Sequence, residues 1–203
     1  MDLWIDLETR CRLDLKQVGL HRYAEEAEII ITAWAWNATP PTVQEGPPDE
    51  GLEQAIAIAD RVMAHNAEFD CTILEEHGIW VPFEKRYCTM AQAHRHGLPG
   101  GLEKLCEIFR IEDALAKQKD GRELMQIFCK PRKDGGWNDK HSHPNEWARF
   151  LRYGGSDSPF SIPSRVPSMA SIATTVLLSP RQLPANRGAS GKKGEETAQN
   201  CRI

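Results

Sequence analysis

The run Leu3-Trp4-Ile5-Asp6-Leu7-Glu8 reads as a strand that opens almost at the first residue, with carboxylates at alternate positions in its second half. Alternate residues of a strand point to one face, so Asp6 and Glu8 share a face. Leu3, Ile5 and Leu7 take the other. By itself that split suits an edge strand with a solvated acidic side. Glu28 to Trp36 is β-branched and aromatic, is bounded by Asn37 and the Pro40-Pro41 turn, and reads as a second strand. Pro41 to Glu45 reads as a third, Arg61 to Ala64 as a short buried one, and Tyr87 to Met90 as another. Helical segments are expected at Asp49 to Ala59 with Asp49 as N-cap, at Glu68 to His77 stopped by Gly78, and at Leu102 to Phe109. Two more follow, Arg122 to Cys129 and Asn145 to Tyr153 with Pro144 in its first turn, separated by the polar loop Lys130 to His143. This order argues an α/β or α+β domain, a mixed sheet with helices against it.

Composition matters mainly because it breaks at Asp157. Residues 1–157 hold 27 acids and 19 bases, whereas 158–203 hold 2 acids and 6 bases. Seven of the nine serines and five prolines fall in those last 46 residues, which contain no Trp or Tyr. Such a stretch buries too little apolar surface to offset its ordering entropy. We read 1–157 as the folded domain and 158–203 as a largely disordered, basic Ser/Pro-rich tail, with Met169 to Leu178 as its one segment able to order. The longest apolar run, Ile29 to Trp36, is too short to span a bilayer, and Asp2, Asp6 and Glu8 stand where a signal peptide needs a basic start and an apolar stretch. Six scattered cysteines form no C-x-x-C pair, which fits reduced thiols. The expectation is a cytoplasmic protein with no membrane partner.

Three segments carry candidate chemistry. The first is Asp6-x-Glu8. The second is His65-Asn66-Ala67-Glu68-Phe69-Asp70, where Asn66 and Asp70 lie one helical turn apart at a helix start; an Asn cap with acids favoured by the macrodipole explains the same residues. The third is Tyr153-Gly154-Gly155-Ser156-Asp157, where a helix would put the phenol and the carboxylate on one side, although Gly154-Gly155 also reads as a fraying end. Four acids in one place repel one another unless divalent cations sit between them, and hard oxygen ligands select Mg²⁺ or Mn²⁺ over zinc. His94-x-His96 and His141-x-His143 lack the further ligands of a zinc site. No P-loop, dinucleotide fingerprint or G-x-S-x-G elbow occurs.

The order D-x-E, N-x-x-F-D, Y-x-x-x-D resembles the three signature segments of the DEDD 3′–5′ exonucleases of the ribonuclease H-like superfamily, the tyrosine marking the DEDDy branch. Asp14 to Ala24, Met63 to Leu74, Leu98 to Cys106 and Glu146 to Tyr153 are similar to the exonuclease domain of phage-type family A DNA polymerases, so the resemblance covers residues 2–157. It implies a ribonuclease H-like mixed sheet flanked by helices, with Asp6, Glu8, Asp70 and Asp157 as ligands of two Mg²⁺ or Mn²⁺ ions and Tyr153 orienting the attacking water. It also implies that Leu7, Thr9 and Asn66 meet the substrate, the 3′ end of a single or frayed DNA strand in a bacterial or phage-infected cell, cut to nucleoside monophosphates.

This chain departs from the family pattern in three ways. Ser158-Pro159 stops the third-motif helix at once, the last 46 residues cannot hold a polymerase domain, and the domain is acidic. DNA affinity must then come from the metals and from local bases, with Lys85-Arg86, Lys117, Lys119, Arg122 and Lys130 to Lys133 as candidates. The alternative is a catalytically impaired module of the same fold that binds DNA or accompanies a separate polymerase subunit.

Overall fold

The computed structural model describes residues 1–37, 39–110 and 121–157, the last three of these by backbone alone. The tail 158–203, Lys117, Lys119 and Cys201 lie outside the described residues. Five strands form one mixed sheet in the order β3-β2-β1-β4-β5, with β1 Asp2–Arg10, β2 Glu28–Trp36, β3 Thr42–Glu45, β4 Arg61–Ala64 and β5 Arg86–Cys88. β1, β2 and β3 pair antiparallel; β4 runs parallel to β1, and β5 parallel to β4. The helices are α1 Leu15–Val18, α2 Leu20–Ala24, α3 Glu50–Ile58, α4 Ala67–Glu76, α5 Thr89–Arg95, α6 Leu102–Phe109, α7 over residues 121–128 and α8 Pro144–Asp157. No helix among the described residues is long and apolar enough to cross a membrane.

The mixed sheet with flanking helices is the architecture expected from the sequence. β1, however, is the central strand and not an edge, and its acidic side is half-buried, not solvated. Leu3, Ile5 and Leu7 pack with Ile29, Val62, Leu52 of α3 and Ile73 and Leu74 of α4 in one core. Each such side chain, fully buried, contributes about 1.5–3 kcal/mol. On the other face Ile30 and Ile31 pack against Leu124 and Phe128 of α7 and Trp147, Phe150 and Tyr153 of α8. A bulge makes both arrangements possible. Glu8 pairs with Ile31 and Thr9 with Ile29, so Ile30 is the extra residue and the strand can feed both cores.

Most element positions follow the sequence expectation. Asp49 caps α3, accepting from the Gly51 amide at 3.0 Å. Trp34 and Trp36 both pack on the first core, as their shared face suggested. The strand expected at Tyr87 to Met90 ends at Cys88 instead, because the thiol of Cys88 accepts the Ala91 amide at 3.4 Å and starts α5 there. α1 and α2 have four and five residues, too short for periodicity to reveal. The helix expected to end near Tyr153 continues to Asp157. Gly154 is no fraying point: a β-carbon there would stand 3.0 Å from Ile31 Cγ2, so the glycine lets α8 approach β2 closely.

Candidate active site

β4 pairs with β1 only at Asp2, Leu3 and Trp4, so the rest of β1 runs on past its parallel neighbour. The chain turns at Asn66, in the left-handed region at φ 71° and ψ 49°, and enters α4. The first turn of α4 carries Asp70 back to β1, where its Oδ1 accepts the Leu7 amide at 3.1 Å, in the place a strand carbonyl would otherwise take. Asp70 is 3% exposed. Burial, followed by the charge of Asp6, holds its carboxyl well above the ordinary carboxylate range. Two carboxylates are thus set against each other at the start of α4, each brought by a different element.

Asp6 and Glu8 are half-buried on the floor of a cleft of about 760 Å³. One wall is the segment from Cys11 to Lys16; the other is α7, with Tyr153 of α8 behind it. Glu8 acts electrostatically on Tyr23 and Cys129, two groups whose pKa burial already raises. Tyr153 is 7% exposed, stacks on Phe150 at 6.3 Å and reaches the cleft. Asp157 is the last residue of α8, one helical turn beyond Tyr153, and its side chain lies outside the described residues.

The remaining expected site residues divide. Thr9 lines the cleft, and its hydroxyl stands 3.0 Å from the Tyr23 phenol oxygen. Leu7 gives its side chain to the core and its amide to Asp70. Asn66 forms the turn before α4, without a side-chain cap bond, and is not among the cleft-lining residues. Of the expected strand-contacting bases, Lys85 donates to Ile56 and Ala57 carbonyls at 3.1 and 2.8 Å, closing the end of α3. Arg86 bonds the Val81 carbonyl and Glu75, and Arg132 pairs with Asp134. Lys85 and Arg86 are therefore structural, whereas the Arg132–Asp134 pair is exposed on the surface. Arg122 and Lys130 line the cleft.

Two residues beside the candidate site were not singled out from the sequence. His65, half-buried beside the cleft, has Nδ1 3.0 Å from Thr89 Oγ1 and Nε2 2.8 Å from the Gly100 carbonyl. That carbonyl can only accept, so Nε2 carries a proton. Its place next to Asn66 in the second motif was the one signal pointing to it. Gly121 lies so close against Tyr153 that a β-carbon there would overlap the phenol ring; nothing in the sequence pairs these two residues.

The donor chemistry of Asp6 and Asp70 fits a hard divalent cation, since a cation between them removes the repulsion that their burial imposes. Among the described residues no group of three or more His, Cys, Asp or Glu side chains is gathered so as to hold a metal ion.

No family model matches the chain. It is similar to a DNA polymerase of Bacillus phage SP02, 30% identical over 166 residues, which cover 74% of this chain and 25% of that polymerase. The chain thus spans about a quarter of the length of the curated relative it matches. The similarity relates the chain to a segment of that polymerase.

Proposed function

We propose that this domain is a metal-dependent 3′–5′ exonuclease of the proofreading type, removing nucleoside monophosphates from the 3′ end of a single or frayed DNA strand. The observation that carries the reading is the opposed pair Asp6 and Asp70, the second buried and hydrogen-bonded to β1, beside a cleft that Tyr153 lines. The similarity to a phage DNA polymerase supports a setting in replication, with a polymerase as partner in the same cell.

Asp6, Glu8, Asp70 and Asp157 would hold two Mg²⁺ or Mn²⁺ ions. When bound, such cations acidify a water and neutralise charge on the leaving 3′ oxygen. The protein's own part is positional. Asp70 fixes the bend of the chain between β4 and α4 to β1 through the Leu7 amide. The Tyr153 phenol, held between Phe150 and Gly121, orients the attacking water. A phenol pKa near ~10 leaves an ordinary tyrosine protonated at neutral pH, so orientation and not proton abstraction is the contribution expected of this residue type. Thr9 and Leu7 border the place of the terminal nucleotide.

A 5′-labelled single strand incubated with Mg²⁺ or Mn²⁺ tests the reading. A ladder of shortened products is expected, lost in Asp6→Ala and in Asp70→Ala. Absence of any ladder from folded wild-type protein across millimolar metal overturns it.

One observation favours a second reading, a module that binds DNA without cutting it: no three acids gather among the described side chains. Retention of the strand with no cleavage would select that reading.

A further inference from the structure

α7 is two-sided. Leu124 and Phe128 are buried in the second core, whereas Arg122 and Gln126 are exposed and line the cleft, joined by Lys130 two residues past the helix end. Arg122 and Gln126 are four residues apart on the helix and so share a side, and Lys130 continues the cleft-lining row past its end. At one end Gly121 touches Tyr153; at the other, Cys129 lies within the field of Glu8. Arg122, Gln126 and Lys130 therefore border the same cleft as Asp6 and Glu8.

Of the other described lysines and arginines, Lys16 also lines the cleft, on its opposite wall; the rest do not. Arg10 pairs with Glu28, Arg22 with Glu25 and Glu26, Arg61 with Asp2, and Lys140 with Glu45. Arg12 lies over the Trp137 ring. Arg122 makes one ion pair, with Glu103 of α6 at 2.9 Å, and both partners are substantially exposed. Such a pair holds the guanidinium in place at little energetic cost to a competing phosphate. In a domain with 27 acids and 19 bases, affinity for a polyanion has to be local.

We infer that Arg122, Gln126 and Lys130 form a track for the phosphodiester backbone of a single DNA strand, leading its 3′ end to the acids. The inference rests on the nuclease reading for its direction, but the track binds DNA whether or not the acids cut. Arg122 reaches a phosphate bidentately, Lys130 meets one as a point charge, and Gln126 donates between them.

The test is fluorescence anisotropy of a labelled oligodeoxythymidine at several salt concentrations, with Ca²⁺ in place of Mg²⁺. Arg122→Gln and Lys130→Gln, both exposed and expected to fold, should each weaken binding roughly threefold to tenfold. The double variant should flatten the plot of log affinity against log salt by roughly 1.4, about 0.7 for each phosphate of a single strand that is no longer neutralised. Its kcat at saturating DNA in Mg²⁺ should stay unchanged while KM rises. Lys85→Gln should leave affinity and salt dependence at wild-type values. Wild-type affinity and slope in the double variant overturn the track, as does wild-type protein that fails to bind DNA. If wild type binds without cutting and the double variant loses binding, the track stands and the nuclease reading falls. If cutting depends on Asp70 while the double variant binds normally, the reverse holds.

Discussion

Asp70 Oδ1 accepts the Leu7 amide at 3.1 Å, so a helix carboxylate closes the open edge of the central strand where its parallel neighbour has ended. The same bond fixes Asp70 against Asp6. This is an unfavourable arrangement for two charges and a favourable one for a cation between them. Its consequences for stability have a definite sign.

With its carboxyl raised by burial and by Asp6, Asp70 favours folding most at acidic pH, below the unfolded aspartate pKa near ~3.9. That contribution is lost as pH rises through the elevated folded value. In metal-free protein, Asp70→Asn should therefore raise the melting temperature at neutral pH by several degrees, since the amide oxygen still accepts from Leu7 and no charge is buried; at pH 4 the gain should shrink. Thermal melts of both proteins across pH measure this, and an equal gain at all pH values would refute the electrostatic cause.

Adding millimolar Mn²⁺ should raise the melting temperature of wild-type protein, because a ligand that binds only the folded state stabilises it by mass action. Asp6→Ala and Asp70→Asn should abolish the response. A flat wild-type response would show that the acids do not bind metal.

Gly121→Ala should lower cleavage by roughly tenfold to a hundredfold, the range expected when a positioned group is displaced by about an ångström, by driving the Tyr153 ring from its place. In a Tyr153→Ala background the same substitution should have no further effect on kcat. Single-turnover rates of the four proteins give the cycle, and additive losses would separate the two residues.

His65 is held below its ordinary pKa, first by burial, against the bond to the Gly100 carbonyl. A group whose folded pKa is depressed contributes stability at pH above its unfolded value, near ~6.5, and loses it as pH falls. Wild-type protein should melt at progressively lower temperature below that pH, beyond any change due to the carboxylates. His65→Leu should blunt this dependence while costing about 1–3 kcal/mol at pH 8 for the stranded carbonyl and hydroxyl. Chemical denaturation at pH 5 and 8 reads both effects.

Lys85→Met should destabilise by about 1 kcal/mol by removing the bonds to the Ile56 and Ala57 carbonyls. It should leave DNA affinity alone. A drop in binding instead would return Lys85 to the role its sequence position suggested.

How far the sequence went depends on range. Alternation in Leu3 to Glu8, the β-branched Glu28 to Trp36 and the Asp49 cap are local patterns, and each element formed where its residues dictate. The carboxylates were legible as motif members, and the sequence placed Asp6 and Glu8 on one face before any fold was known. α5 was missed because its start depends on a thiol cap, and the bonds that hold Lys85 and Arg86 go to carbonyls that no local pattern pairs with them.

What the sequence alone determined, then, is the set of elements and the acids they carry, because secondary structure and side-chain direction follow from neighbours along the chain. Only the tertiary structure decided that β1 is central, that Asp70 faces Asp6, that Gly121 presses on Tyr153, and that Arg122 and Lys130 reach the cleft. Those relations join residues tens of positions apart, and strand order and packing of two cores against one sheet set them, which no local pattern encodes.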